Sequence, residues 1–321
     1  MKRAQLFFVV ALAVALYAAA TVSPASGARH TVAPSLANRV ASCLPAIHGD
    51  SLFSVYNRLT PAAFGRGFDA REPADNTAVQ DLPASAIGQA GPNFSATVPV
   101  YFHVITNGPV GNLTDKQISD QMTVLNLEFA GMEGGANTGF SFTLAGVTRT
   151  DNADWFNAKP GGINEKSMKR TLHQGGDNAL NLYSATAGAF LGWAYLPDIV
   201  TKPGQAFLDG IVFDWETVPG ASTTYAGQFD LGKTVTHEAG HWLNLEHTFS
   251  GGCNAKGDFV ADTPAERTPT SGCPAGKDTC SDPGPDPIHN YMDYSFDSCY
   301  SEFTQGQAQR MRDAWLFYRA P

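Results

Sequence analysis

One stretch, Thr234 to Phe249, constrains this chain more than any other: TVTHEAGHWLNLEHTF. It carries H-E-x-x-H at His237, Glu238 and His241, and a third histidine, His247, six residues further on. Residues four apart share a helix face, so His237 and His241 can present ring nitrogens to one cation. Glu238 follows the first ligand and flanks that cation, where a carboxylate can take a proton from an activated water. A helix continued to residue 247 would carry the third imidazole away. The chain must therefore turn near Asn244, in the left-handed conformation that glycine adopts at least cost and asparagine tolerates. Three histidines leave a fourth position open, which is the arrangement of a catalytic zinc and not of a closed structural one. A plain helix with histidines on a buried face is the competing reading, and the third histidine at the extended spacing argues against it.

The N-terminus reads as an export signal. Lys2 and Arg3 precede the apolar run Leu6–Ala20, and Ala18 and Ala20 stand as in an A-x-A cleavage site. The run is short for a membrane span. Residues 1–20 are therefore expected to be a signal peptide, and the mature protein to be secreted, soluble and extracellular, without a membrane segment. Sequons at Asn93 and Asn112 fit export weakly. A net charge of −9 argues against a nucleic-acid partner.

Five cysteines occur, at 43, 253, 273, 280 and 299. In an oxidising compartment the last four read as two disulfides, for which three pairings are open. A cysteine metal site is the competitor, but the chain has no C-x-x-C pair. Cys43 is left over. It lies in residues 21–92, a stretch rich in Ala, Ser and Pro that reads as a removable prosegment, with a disordered spacer as the alternative.

Beyond residue 93 the chain reads as one catalytic domain, 93–321. The alternation in 97–106 predicts a strand, and His103 within it reads as a packed strand residue. Thr114 and Gln117 form a capping-box pattern ahead of Ile118, Met122, Leu125 and Phe129 at helical spacing. Strands are expected at 140–150, 179–186 and 210–218, and a short helix at 164–172. Strands and helices in this order give an α/β domain with a mixed sheet. A second capping box, Thr304 with Gln307, opens a C-terminal helix whose stripe is Ala308, Met311, Trp315 and Tyr318. Between the zinc helix and that point lies a long loop with six prolines from Pro264 to Pro287. Asp258, Asp262 and Thr263 in GDFVADTP offer hard oxygens suited to calcium; a solvated acidic loop is the alternative.

The motifs in order (HEAGHWLNLEHTF, GDFVADTP, the cysteines, DPIHNYMDYS and FTQGQAQRM) resemble the pappalysin family of zinc metalloendopeptidases, most closely its secreted bacterial and fungal members. The resemblance covers roughly Val98 to Arg312. It implies a metzincin-like α+β fold, with a mixed twisted sheet, an active-site helix and a smaller, loop-rich C-terminal subdomain. It further implies zinc on His237, His241 and His247, Glu238 as general base, Met292 in a Met-turn beneath the metal, and Tyr294 near the metal stabilising the transition state. The crossed disulfides Cys253–Cys280 and Cys273–Cys299 follow from it, as does calcium near Asp258, Asp262 and Thr263. Substrates would be proteins or peptides, bound to a monomer. Cys43 could be a latency switch, since a thiolate can fill the open zinc position. The chain departs from the family at Asn244, where glycine is usual; asparagine there costs about 1 kcal/mol more. A secreted binding protein on the same fold is the alternative function.

Overall fold

The computed structural model describes residues 81–321 except Ala189 and Ala255. The signal peptide, most of the expected prosegment, and Cys43 lie outside the described residues. A five-stranded sheet forms the centre: β1 (Ala96–Thr106), β2 (Phe140–Asp151), β3 (Leu180–Ala185), β4 (Gly192–Ala194) and β5 (Ile211–Asp214). Their order is β2-β1-β3-β5-β4. All neighbours are parallel except β4, which runs antiparallel to β5 at the edge. The sheet is therefore mixed.

Strand alternation sends side chains to two faces, and each face has its own core. Val98, Val100, Phe102 and Val104 of β1, with Leu182 and Phe213, face α1 (Asp115–Phe129) and α4 (Lys233–Trp242). Ile105, Tyr183, Val212 and Trp193 face the other side, packing with Phe156 of α2 (Ala153–Phe156) and Met168 of α3 (Ile163–Leu172). Both expected capping boxes form, at Thr114 with Gln117 and at Thr304 with Gln307, the second opening α5 (Gln305–Ala314). His103 is a packed strand residue: it contacts Thr148 and Asn181 at 2.8 and 3.0 Å, and burial lowers its pKa to about 4. Two expectations shift. The strand beginning near 210 ends at Asp214, because Asp214 turns to accept from the Glu216 N–H at 3.0 Å and a 3-10 turn follows. The short edge strand β4, three residues within a glycine-flanked stretch, was not expected at all.

The C-terminal segment locks the far end of α4. Past α5 the chain forms a wide turn at Trp315–Arg319. The buried Arg319 guanidinium grips the Asp209 carboxylate with two bonds of 2.9 Å, lies 3.7 Å over the Trp242 ring, and donates to the Trp242 carbonyl at 3.1 Å. Trp242 Nε1 donates to the same carboxylate at 3.0 Å. Residues 81–90, at the end of the stretch expected to be a prosegment, pack on α5: Asp313 accepts from the Gly88 and Ala90 N–H groups at 2.7 and 2.8 Å, and Asp81 pairs with Arg310 at 2.6 Å. Breaking a buried pair leaves one charge unmatched. Arg319→Ala is accordingly expected to lower unfolding free energy by about 3–5 kcal/mol, read as a fall in the urea midpoint at unchanged m-value.

Candidate functional site

Helix α4 delivers the first two histidines because every residue in it is buried and its start is held from outside. Gly232, with φ of 88°, enters the helix without a side-chain cap. The Asp297 carboxylate replaces the missing cap, accepting from the Leu231 and Lys233 N–H groups at 2.8 and 3.4 Å, and its charge suits a helix N-terminus. Thr236 on the next turn hydrogen-bonds Glu128 of α1, whose carboxyl burial pushes up to about 8.

The helix stops where the histidine spacing requires. Asn244 has φ of 76°. Its N–H bonds the His241 carbonyl at 2.8 Å, and the next N–H, of Leu245, reaches back to the Gly240 carbonyl at 2.9 Å. These two bonds make a Schellman motif with asparagine at its left-handed position. The Asn244 carbonyl in turn accepts from Arg310 of α5 at 2.9 Å. The reversal brings His247 back over the helix.

The three Nε2 atoms then converge: His241 lies 3.1 Å from His237 and 3.1 Å from His247. Two rings are fixed from behind. His237 Nδ1–H donates to the Tyr291 carbonyl at 2.6 Å and His241 Nδ1–H to the Leu245 carbonyl at 2.7 Å. With those protons placed, the inward nitrogens carry lone pairs that face one another and repel. A cation relieves this arrangement: tetrahedral zinc with bonds of 2.0–2.1 Å would hold its nitrogens about 3.3 Å apart. Burial also keeps the imidazoles neutral, His237 at about 4 and His241 at about 3, as ligation requires. The residues fit the ion.

Met292 lies fully buried beneath α4. A Cβ on Gly240 would stand 2.4 Å from its sulfur, so only glycine lets helix and turn approach this closely. Sequence reading missed this role, although a glycine inside a helix is a signal of close packing. The turn is pinned on both sides: the Met292 carbonyl accepts from Thr248 N–H at 3.2 Å, and Asn290 exchanges two amide bonds with Gln307 of α5 at 2.8 and 3.0 Å. Tyr294 extends its hydroxyl to 3.0 Å from His247 Nε2, with Phe249 against its ring. Glu238 is buried below the edge strand: a Cβ on Gly192 would touch its Cγ at 3.0 Å. Burial alone pushes its carboxyl up to about 8.

The long loop is fixed by Cys253–Cys280 and Cys273–Cys299. Of the three residues expected to suit calcium, Asp258 is buried, which pushes its carboxyl up to about 7, and the Thr263 side chain hydrogen-bonds that carboxyl. Asp262 lies apart from them, accepting from Thr304 Oγ1 and Gly306 N–H at 2.7 and 2.8 Å at the start of α5.

The sequence model of peptidase M43, described as pregnancy-associated plasma protein-A, matches residues 192–315. An extracellular metalloprotease of Colletotrichum graminicola is 46% identical over 258 residues, 78% of this chain and 84% of its own. The chain belongs to the pappalysin family of metzincin metalloproteases. Extracellular metalloprotease 1 of Coccidioides posadasii is 45% identical over 228 residues, covering 70% of this chain and 78% of its own. Mature mirolysin of Tannerella forsythia, solved with a cleaved peptide, superposes with a TM-score of 0.59 at 30% identity, over 69% of this chain and 92% of that one. This pappalysin thus carries the family's histidine triad, of the kind that holds zinc, on an α+β fold with a mixed sheet.

The left-handed turn sets a test. Asn244→Gly removes strain and is expected to hold or raise zinc occupancy, whereas Asn244→Val, with a β-branched side chain at positive φ, should lower it. Elemental analysis of the purified proteins reads the result, and equal zinc in all three would place the control of the third ligand elsewhere.

Proposed function

We propose that this chain is a secreted zinc endopeptidase in which Glu238 is the general base. The observation that carries the reading is the convergence of three imidazoles with the Tyr294 hydroxyl 3.0 Å from His247 Nε2, and with Glu238, buried and next to His237 in sequence, on the same helix. When bound by His237, His241 and His247, zinc supplies Lewis acidity toward the scissile carbonyl and makes water a nucleophile near neutral pH. Glu238 accepts the proton of the attacking water and returns it to the departing amine. Burial beneath β4 keeps that carboxylate out of bulk water, and the cation's charge opposes the upward pKa shift that burial alone causes. Tyr294 Oη donates to the carbonyl oxygen as negative charge builds on it. A peptide substrate lies extended beside β4, adding a strand to the sheet edge. Calcium occupies the Asp258–Thr263 region, where a buried carboxyl and a hydroxyl offer hard oxygens side by side.

Export rests on the leader pattern at residues 1–20 and on the extracellular relatives. No helix among the described residues is long and apolar enough to cross a membrane. The enzyme acts as a monomer. Residues 21–92 form its prosegment, and Cys43 supplies the thiolate that silences the site until that segment is cut away.

Two experiments test this. Cleavage of casein is expected to stop with 1,10-phenanthroline and return with added zinc; Glu238→Ala should keep its zinc yet lose at least about 10³-fold in kcat, since it removes the general base. Wild-type cleavage by that variant would take Glu238 out of the mechanism. For latency, the proform with its processing site blocked is expected to be silent and its Cys43→Ala variant to cleave. Equal silence would assign inhibition to other prosegment contacts, and equal activity would mean that the segment inhibits nothing.

A further inference from the structure

We propose that Glu165 is a positioning residue for the substrate-binding edge: it sets the height of β4 above Glu238. The inference rests on the reading of β4 as the strand beside which the peptide lies. That strand is three residues long and has only β5 as a neighbour among the described residues. Three antiparallel pairings, Gly192 with Phe213, Trp193 with Val212 and Ala194 with Ile211, tie down one side alone. A strand so short would pivot about its ladder and carry the peptide away from the attacking water.

Alternation solves the problem. Gly192 and Ala194 point toward α4, and Gly192 sits against the Glu238 side chain. Trp193 and Tyr195 point the opposite way, into the core beneath α3. There Glu165, fully buried on α3, receives both of them: Trp193 Nε1 donates to Oε1 at 2.8 Å and Tyr195 Oη to Oε2 at 2.9 Å. One rigid carboxylate therefore holds Trp193 at the middle of the strand and Tyr195 one residue past its end, two successive positions on the same side. Its own place is fixed by the Gly161 N–H at 2.7 Å and by Lys169 at 3.0 Å, one turn along the helix. Lys169 in turn donates to the Leu208 and Gly210 carbonyls at 2.7 and 3.1 Å, just ahead of β5. The network thus refers β4 and the start of β5 to one buried charge pair. As a stabiliser such a pair is a poor choice, since apolar residues of equal volume do as well or better. As a fork with two fixed acceptors it does what an apolar residue cannot.

Only the carboxylate satisfies both donors. In Glu165→Gln the amide oxygen accepts from one of them, and its NH2 faces the other donor. The test compares an octapeptide substrate, long enough to pair along β4, with a tetrapeptide spanning little more than the scissile bond. Wild type should favour the octapeptide in kcat/KM. If it does not, the edge-strand reading fails before Glu165 is in question. Given that preference, Glu165→Gln is expected to lose about tenfold in kcat/KM on the octapeptide, chiefly through KM, and less than about twofold on the tetrapeptide, with zinc content unchanged. Tyr195→Phe deletes one donor and keeps the ring, so it should move the same way by a smaller factor and carries the test if the glutamine variant does not fold. Equal losses on both substrates, or none on the octapeptide in either variant, would overturn the proposal.

Discussion

The reversal at Asn244 is the constraint on which the rest depends. Until the helix stops, two histidines can share a face but a third cannot join them. The bonds from Asn244 and Leu245 back to His241 and Gly240 close the helix and start the return. The Leu245 carbonyl then orients His241 itself, so the turn that brings the third ring also aims the second. Leu245 and the sulfur of Met292 together fill the space that a side chain on Gly240 would need. Helix end, the turn at Met292 and the three histidines are one packed unit.

That unit is held in place by charges that are not part of the chemistry. Asp297 caps α4 from a segment just beyond Tyr294, and Arg319 closes its far end through Asp209. Glu266 accepts from Thr248, the residue after the third histidine, and is matched by Lys277, which also pairs with Asp286. Each of these carboxylates is buried; Asp297, Glu266 and Asp286 serve backbone or hydroxyl donors, and Asp209 serves the Trp242 indole and the Arg319 guanidinium. The loop-rich half of the molecule has little regular structure, and its polar anchors substitute for helices and strands.

How much of this was legible in the sequence follows from the range of each interaction. The capping boxes at Thr114 and Thr304 are written within four residues and were found. The zinc spacing, with asparagine where the turn must fall, is equally local. β4 left no trace because three residues are too few for an alternation to register, and it becomes a strand only by pairing with β5. Asp297 escaped notice for a related reason, as did the hold of Glu165 on the edge: the N–H groups Asp297 caps lie more than 60 residues away, and Trp193 and Tyr195 lie 28–30 residues from Glu165, with nothing in either segment to link them. The disulfide pairing was open from spacing and came only with the family resemblance.

The two disulfides interleave, Cys253 to Cys280 across Cys273 to Cys299. With sequence separations of 27 and 26, each removes about 3.5 kcal/mol of chain entropy from the unfolded state on the loop-closure account. The crossing has another effect. Any single break in the backbone between Cys253 and Cys299 is spanned by at least one sulfur bridge. A protease at high local concentration meets its own exposed loops as substrate, and this proline-rich stretch lies in the longest irregular run among the described residues. A nick there leaves the histidines and Met292 in one covalent piece. The loop can be bitten without being lost.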